Sequence, residues 1–291
     1  MAVDTFIPEV WSAELLTTLD ENYVLAAPDA INTDYEGEIA NQGDTVHIGS
    51  LADPTVSTYT KNVTVISPQT LSTTDQSLLI DQSKYFAFEV DDVDKRQAQN
   101  GGKLLTTAAQ RAAVKLQELA DTYVGTLMTA GAGTVLTAAD VATPAAAFSV
   151  LIRLKVALDR ANVPQAGRWV AVSPEFYGLL LADARFSDAS AYGTGGVVAN
   201  GIVGRALGFT VKVSTNLPAG TAGTNPEVSS FIIAGHRMAT TFATQISKTE
   251  AYRPQDSFSD AIKGLHLYGA KVVRPEALAV IDVDVTVPAS L

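Results

Sequence analysis

The sequence has no cysteine among its 291 residues. That absence excludes disulfide frameworks, zinc sites built on thiolates and thiol nucleophiles. Aromatic residues make up only 7% of the chain, while Ala, Val, Thr and Gly are abundant, which suits strands and helices with small side chains. No apolar run approaches a membrane span in length, and no basic segment precedes an apolar run at the start. We therefore expect a soluble protein without a sorting signal, made in a cytoplasm.

Basic residues are missing from the first 60 positions. This segment has 11 acidic side chains and no Lys or Arg, and the first basic residue is Lys61. The whole chain has 31 acidic and 20 basic residues, so the remainder holds 20 of each sign and the net charge of −11 belongs to the first fifth. An arm of this sign cannot neutralise phosphates, which argues against tight nucleic-acid binding. It is either a solvated acidic segment or an arm that lies on a basic face of another subunit.

The clearest predicted element is a long helix over residues 103–129. Its apolar residues recur every three or four positions: Leu105, Ala109, Ala112, Leu116, Leu119, Tyr123 and Leu127. At about 1.5 Å per residue this helix is roughly 40 Å long, and its Ala-rich stripe suits a helix lying across a sheet. Ahead of it, residues 44–82 alternate polar and apolar side chains with few large core residues. This pattern predicts a two-stranded ribbon that needs a supporting neighbour.

Shorter elements are predicted on either side of these two. Near the N-terminus, PEVWSAELLTTLDENYV is a helical pattern in which Val10, Leu15, Leu16 and Leu19 share a face. Gly and Pro in AGAGTVLTAADVATPAAA predict a domain boundary near Thr134 to Ala145. The other expected elements are a buried strand at 84–90, a helix at 148–161, a strand at 168–174, a helix at 174–184, a loop at 188–201, a strand at 230–236, a loop at 251–264 and a two-stranded hairpin at 265–287.

The glycine-rich stretch GIVGRALGFTVKVSTNLP, residues 201–218, raises the question of a cofactor loop. A dinucleotide site needs G-x-G-x-x-G between a strand and a helix, and a phosphate-binding loop needs G-x-x-x-x-G-K-[ST]. Here Gly201, Gly204 and Gly208 have neither spacing, and a strand follows them. We interpret the stretch as a short helical turn that enters a strand, with glycines for backbone freedom. No cofactor is expected.

No other cluster of residues predicts catalysis or metal binding. The chain has three histidines, none with a partner at metal-ligand spacing: His47, His236 and His266. The acidic run at 91–94 lacks the glycine and distal glutamate of a calcium loop, which favours capping or solvated groups. A denser set of charges suggests an ion-pair network: Glu250, Arg253, Asp256 and Asp260. No nucleophile, base and oxyanion donor come together, so neither an enzyme nor a metal site is expected.

Five stretches, taken in order, resemble a known family. They are FIPEVWSAELL, NQGDTVHIGSLADPTVSTYTKN, QSKYFAFEVDDVDKRQA, GIVGRALGFTVKVSTNLP and AYRPQDSFSDAIKGLHLYGAKVVRPEAL. The similarity spans nearly the whole chain. With these stretches in this order, the chain resembles a major capsid protein of a tailed bacteriophage, with the fold first seen in the Hong Kong phage coat.

The resemblance implies an α+β, HK97-like phage capsid fold. Its expected parts are an N-terminal arm at 1–40, an extended β-hairpin loop at 41–83, a peripheral domain at 84–145 and 238–291 with a spine helix at 103–129, and an axial α/β domain at 146–237. The ribbon then becomes the extended loop, which lies on a neighbouring subunit, and the acidic arm becomes an interlocking strap. The glycine-rich stretch is a packing turn of the axial domain.

The function implied by the resemblance is structural. Copies form pentamers and hexamers that close into the icosahedral head of the virion, assembled in the host bacterial cytoplasm. The head encloses double-stranded DNA, and an acidic chain suits containment without sequence-specific binding. The implied partners are other copies of the chain, a separate scaffolding protein, a portal and in some members a decoration protein, with no membrane.

Assembly interfaces are where functional side chains are expected. The candidates are Trp11, Asp20, Glu21, Tyr59, Lys61, Lys84, Tyr192, Arg253 and Asp256. Some members of the family crosslink a lysine of the extended loop to an asparagine on a neighbour. Lys61 lies in the corresponding segment, but no partner stands out, so crosslinking is not expected here.

Three other functions are compatible with parts of the sequence. An encapsulin, the shell protein of a bacterial nanocompartment, has a similar fold and would carry a docking pocket for cargo protein. A soluble α/β enzyme could be built on the sheet predicted at 146–234, although its site is missing. A tail or decoration protein would need neither the spine helix nor the ribbon.

Overall fold

The computed structural model describes residues 23–33, 45–51, 54–62, 65–66, 68–70, 73–91, 103–183, 204–221, 229–255 and 259–286. Its helices are α1 (Lys103–Gly131), α2 (Pro144–Arg160) and α3 (Pro174–Leu181). Its strands are β1 (Thr45–Leu51), β2 (Thr73–Leu79), β3 (Gln82–Asp91), β4 (Thr134–Val141), β5 (Arg168–Val172), β6 (Arg205–Ala206), β7 (Phe209–Val213), β8 (Ser229–His236), β9 (Thr240–Tyr252), β10 (Ser259–Val272) and β11 (Leu278–Val285). Two short 3₁₀ turns lie at Arg237–Ala239 and Pro275–Ala277.

The larger of two body sheets has the strand order β4-β11-β8-β5-β7-β6. β4 runs parallel to β11 and β5 runs parallel to β7, while the other neighbours are antiparallel. All five residues of β5 are buried, and this interior strand of the sheet contributes Trp169, Val170, Ala171 and Val172 to the main hydrophobic core. Strands that are buried on both faces have continuous apolar runs in their sequence, so the run in RWVAV is enough to predict this strand.

The smaller body sheet is antiparallel, with the order β3-β10-β9. The strand predicted at 84–90 is present as part of β3, but the prediction that it is buried is wrong. Half-buried and exposed residues alternate along it, because it is an edge strand with one face on the core. The Phe86 ring of β3 lies over Gly264 of β10, where a Cβ would be 2.3 Å from the ring, so a larger residue at this position would displace the ring. Helix α1 contacts both body sheets, so it connects the two halves of the subunit.

The two-stranded ribbon and the long helix are confirmed. β1 and β2 pair antiparallel, with Thr45 opposite Leu79 and Leu51 opposite Thr73, and α1 covers the predicted 103–129 span. The predicted apolar stripe of α1 is partly wrong. The residues fully or almost fully buried are Ala113, Leu116, Ala120, Val124 and Met128, whereas Leu119 is 50% exposed. Two series of apolar residues with three- and four-residue spacing exist in this helix. The buried series is harder to recognise in the sequence because the polar residue Asp121 lies within it.

Shorter elements differ from what the sequence predicts. Residues 134–145, where a domain boundary is predicted, contain strand β4 and the start of α2. α2 begins at Pro144 because proline is preorganised for a first helical turn and the Thr143 hydroxyl accepts the Ala146 N–H at 3.3 Å. The predicted hairpin at 265–287 is absent from the described residues, since β10 and β11 belong to different sheets.

The predicted loop at 251–264 is also wrong over most of its described length. Residues 251–252 end β9, and Ser259–Gly264 begin β10. β9 itself was not predicted. Sheet membership also differs from the expected domain limits, because β4 and β11 join the sheet formed by residues 168–236.

Candidate assembly surfaces

The side chains expected at assembly interfaces are spread over two regions of the described chain. Tyr59 and Lys61 lie at the exposed tip of the ribbon. Lys84 is half-buried on β3, opposite His266, and Arg253 is exposed just after β9. The remaining candidates lie outside the described residues: Trp11, Asp20, Glu21, Tyr192 and Asp256.

The ribbon tip exposes large apolar side chains to solvent. Val56 is 93% exposed, Val65 90%, Ile66 75% and Tyr59 64%. The Thr55 N–H donates to Gln69 Oε1 at 3.0 Å and ties the two sides of the tip together. Exposed apolar side chains on a thin ribbon are typical of interaction surfaces in general, because a ribbon has no core in which to bury them.

The ribbon base, in contrast, is fixed to the body. Leu78 and Ile80 form a small buried cluster with Ala243 and Leu267. A Cβ at Gly269 would lie 2.4 Å from the carbonyl oxygen of Leu79, so the end of β2 lies directly on the backbone of β10. The ribbon is therefore fixed to the body at its base, and apolar side chains at the described part of its tip are exposed.

Residues 23–33, named here the anchor segment, pack inside their own subunit. Leu25 and Ile31 are fully buried. The buried carboxylate of Asp121 on α1 accepts the Val24 N–H at 3.1 Å and the Ala26 N–H at 3.0 Å. This part of the predicted arm was expected to be a strap on a neighbour; its apolar side chains instead complete the subunit's own core.

The anchor segment also reaches both body sheets. Lys212 of β7 donates to the Val24 carbonyl at 3.2 Å and forms an ion pair with Asp29. The Asn32 carbonyl accepts the Phe242 N–H of β9 at 3.0 Å. The segment thus joins α1, the six-stranded sheet and the three-stranded sheet.

Two buried ionisable groups have displaced pKa values. Burial raises the pKa of the Asp121 carboxyl, and the backbone N–H groups of the anchor segment and the Asn216 side chain oppose that rise. Burial lowers the pKa of His266 to about 4. His266 Nε2 lies 2.6 Å from Thr244 Oγ1, and its ring lies 5.0 Å from that of Tyr268. His266 is therefore a neutral core residue of β10.

The described part of the glycine-rich stretch is a tight hairpin turn between β6 and β7. Leu207 and Gly208 both have positive φ, 52° and 90°, as a two-residue turn requires. Lys155 Nζ donates to the Leu207 carbonyl at 3.1 Å and supports the turn. The prediction of a turn before a strand is confirmed, but the turn is not helical.

Polar groups elsewhere have structural partners. Glu250, a member of the predicted ion-pair network, pairs with Lys263 at 2.9 Å. Asp282 Oδ2 accepts the Thr221 N–H at 2.8 Å and the Thr221 hydroxyl at 2.9 Å. Over the described ranges, no three His, Asp or Glu side chains are grouped so that they could hold a metal ion. No described helix is long and apolar enough to cross a membrane.

Asp121 and Lys212 are the structural residues that sequence reasoning missed. Asp121 carries a detectable signal, because it lies four positions after Gln117 and three before Val124 on what is the buried face of α1. An acidic residue on such a face requires hydrogen-bond donors from elsewhere in the chain. Nothing in the sequence indicates that the donors come from residues 24–26.

Comparison with known proteins identifies the family. A family model described as phage capsid protein matches residues 75–281, more than half of the chain. The chain belongs to this family. A solved structure from Mycobacterium phage Che8 is 32% identical, with a TM-score of 0.71 over 86% of this chain and 88% of that one. A comparison with curated protein sequences gives no match.

More distant structures share the fold. The capsid of Cyanophage P-SCSP1u is 15% identical, with a TM-score of 0.68 over 86% of this chain and 85% of that chain. The mature capsid of bacteriophage PhiM1 is 17% identical, with a TM-score of 0.65 over 89% of this chain and 88% of that chain. The capsid protein therefore has the HK97-like α+β fold predicted from the five stretches.

The family assignment settles the broad function. The chain is a shell protein of the virion capsid and assembles with other copies of itself. The match is to phage capsid proteins, so an encapsulin is not favoured. A family of structural proteins also points to a non-enzymatic role.

Proposed function

We propose that this capsid protein forms pentamers and hexamers that close into an icosahedral head around double-stranded DNA. The observation that carries this proposal is the ribbon, which has a buried base and an apolar tip. In a lattice of identical copies, each tip can bury its apolar side chains on a neighbour, and many modest contacts of this kind add up.

The proposed axial and peripheral domains correspond to the two body sheets. The six-stranded sheet with α2 and α3 is the axial domain around the five- and six-fold centres. The three-stranded sheet with α1 is the peripheral domain, and the ribbon extends from it. This division moves β4 and β11 from the peripheral to the axial part. Tyr59 and Lys61 stay in the proposal as contact residues because both are exposed at the tip.

The proposed partners beyond other copies are a scaffolding protein, a portal and, on the outside, a decoration protein. The proposed cargo is DNA held without sequence-specific contacts. The charge of the chain supports this, because a net charge of −11 per copy disfavours tight adhesion of phosphates to the wall.

The test is assembly with the ribbon tip altered. The chain is produced alone and with its scaffolding protein, then measured by light scattering and negative-stain electron microscopy. We expect closed shells from the wild-type chain in at least one condition, and only small species from Val56→Asp/Ile66→Asp. The matched control, Val56→Leu/Ile66→Leu, retains apolar tips and should form shells. Shells of normal yield from the aspartate variant would contradict a tip-mediated contact, and a wild-type chain that stays monomeric in both conditions would contradict the proposed function.

A further inference from the structure

A groove lies at one edge of the six-stranded sheet, between β4 and α2. Its volume is about 570 Å³. Among the strands that the structure describes, β4 is the terminal one of its sheet, with β11 as its neighbour on one side. Leu136 of β4 and Ile152 and Val156 of α2 provide apolar walls, and Arg153 and Arg160 of α2 provide positive charge.

The composition of the groove indicates the chemistry of its occupant. Ile152 and Val156 lie one helical turn apart and each is 41% exposed, unlike the fully buried Leu151 and Leu154 beside them. Arg153 Nη2 donates to the Thr137 carbonyl at 2.8 Å, which holds the guanidinium over β4 and leaves its other donors available. A suitable partner has an apolar stripe flanked by carboxylates.

Charge on the rim is not cancelled by the acidic residue beside it. Asp159 precedes Arg160 in α2, but its carboxylate is 2.6 Å from Arg168 Nη1. Arg168 is itself buried and also donates to the carbonyls of Pro164 and Val163. The Asp159 carboxylate is thus held towards β5, and the groove keeps its two guanidinium groups.

The N-terminal segment of this same chain has the complementary chemistry. Residues 1–22 carry five acidic side chains and no basic ones. The helical pattern within them places Val10, Leu15, Leu16 and Leu19 on one face, with Glu14 among the flanking carboxylates. An amphipathic helix that lays its apolar face in a groove is a common mode of peptide recognition.

The topology favours the segment of a neighbouring copy over the chain's own. The anchor segment is held by Lys212 on β7, near one edge of the sheet, while the groove is at the opposite edge on β4. Four strand spacings, about 19 Å, separate β7 from β4. In a ring with head-to-tail contacts, two different surfaces of neighbouring copies meet, so the edge at β7 of one copy can come next to the edge at β4 of another.

We propose that the groove between β4 and α2 binds the acidic N-terminal segment, residues 8–20, of the next copy in a ring. This inference rests on the proposed assembly and names a contact within it. The apolar face of the segment packs on Ile152 and Val156, and its carboxylates pair with Arg153 and Arg160.

The chain's lack of cysteine allows a direct crosslinking test. The full chain with Leu16→Cys/Val156→Cys is treated with a short bismaleimide under assembly conditions and separated on a denaturing gel. We expect a ladder of dimers and higher multimers. The control pair is Leu16→Cys/Val114→Cys, because Val114 on α1 is 40% exposed and Val156 is 41% exposed. This control pair should give a ladder at least about tenfold weaker. The Leu16→Cys/Val156→Cys pair should be weakened to the same degree when it also carries Arg153→Glu/Arg160→Glu, because the groove and the N-terminal segment then have charges of the same sign.

Electron microscopy of the same samples separates the inference from the function on which it rests. Ladders that depend on Val156→Cys and are lost on charge reversal support the groove contact. Shells without a ladder, equal ladders from both cysteine pairs, or an internal crosslink within one chain would each overturn it while the assembly function stands. If neither shells nor ladders form, both the groove contact and the proposed assembly are overturned.

Discussion

Asp121 joins the spine helix to the anchor segment through two backbone hydrogen bonds in a buried setting. Asp121→Ala leaves the Val24 and Ala26 N–H groups buried without this acceptor. We expect the free energy of unfolding to fall by about 2 kcal/mol, because each unpaired buried donor costs about 1–3 kcal/mol and loss of a desolvated carboxylate offsets part of that. Denaturant unfolding of the unassembled chain measures the change.

A matched control lies one turn away on the same helix. Glu118 pairs with Lys115 on the exposed side of α1. Glu118→Ala should change the free energy of unfolding by less than about 1 kcal/mol, because exposed ion pairs contribute little. Equal effects of the two substitutions would show that the Asp121 carboxylate does not hold the anchor segment.

His266 makes stability depend on pH. Its folded pKa of about 4 lies below the usual 6.5, so between these values the unfolded chain binds a proton that the folded chain does not. Stability from this group is complete above about pH 6.5 and is lost as the pH falls towards 4, by about 3 kcal/mol in total. Unfolding of the unassembled chain between pH 7 and pH 4 measures this loss.

The contribution of His266 is isolated by comparison with His266→Phe. The variant keeps an aromatic ring beside Tyr268 but has no group to titrate, so its stability should fall less over the same range. Parallel pH profiles for wild type and variant would contradict the neutral, buried state of this histidine.

At the scale of elements, the ribbon depends on one close approach. The end of β2 lies on Gly269 of β10, where a Cβ would be 2.4 Å from the Leu79 carbonyl oxygen and 3.0 Å from Ile80 Cα. Gly269→Ala should displace the ribbon base, lower the free energy of unfolding by about 1–3 kcal/mol and speed proteolysis at Lys84.

Gly178 of α3 provides the comparison. A Cβ there meets nothing within 4 Å, so Gly178→Ala should raise stability by up to about 1 kcal/mol through helix propensity. Slower or unchanged proteolysis in Gly269→Ala would mean that the ribbon base can shift without leaving the sheet.

At the scale of the whole molecule, the fold separates rigid parts from contact-making parts. α1 and the anchor segment join the two body sheets through buried side chains and hydrogen bonds. The ribbon tip leaves that body and exposes apolar residues. This combination suits the proposed assembly, in which the body sets the lattice geometry and the ribbon supplies contacts between copies.

Elements with a strong local pattern could be predicted. α1, β5 and the ribbon follow from helical periodicity, a buried apolar run and polar–apolar alternation. β9, and the membership of β4 and β11 in one sheet, could not be predicted. Both depend on pairing with residues across a turn or more than a hundred positions away, which local spacing along the chain does not record.

The sequence by itself determined the absence of thiol chemistry, the acidic first fifth, the long helix, the ribbon and the resemblance to phage capsid proteins. Each of these is a matter of composition or of neighbours along the chain. Only the tertiary structure decided that residues 23–33 anchor to Asp121, which face of α1 is buried, and that a groove with two arginines lies beside β4. These features depend on contacts between distant segments, and local patterns do not record which distant donor will meet a given acceptor.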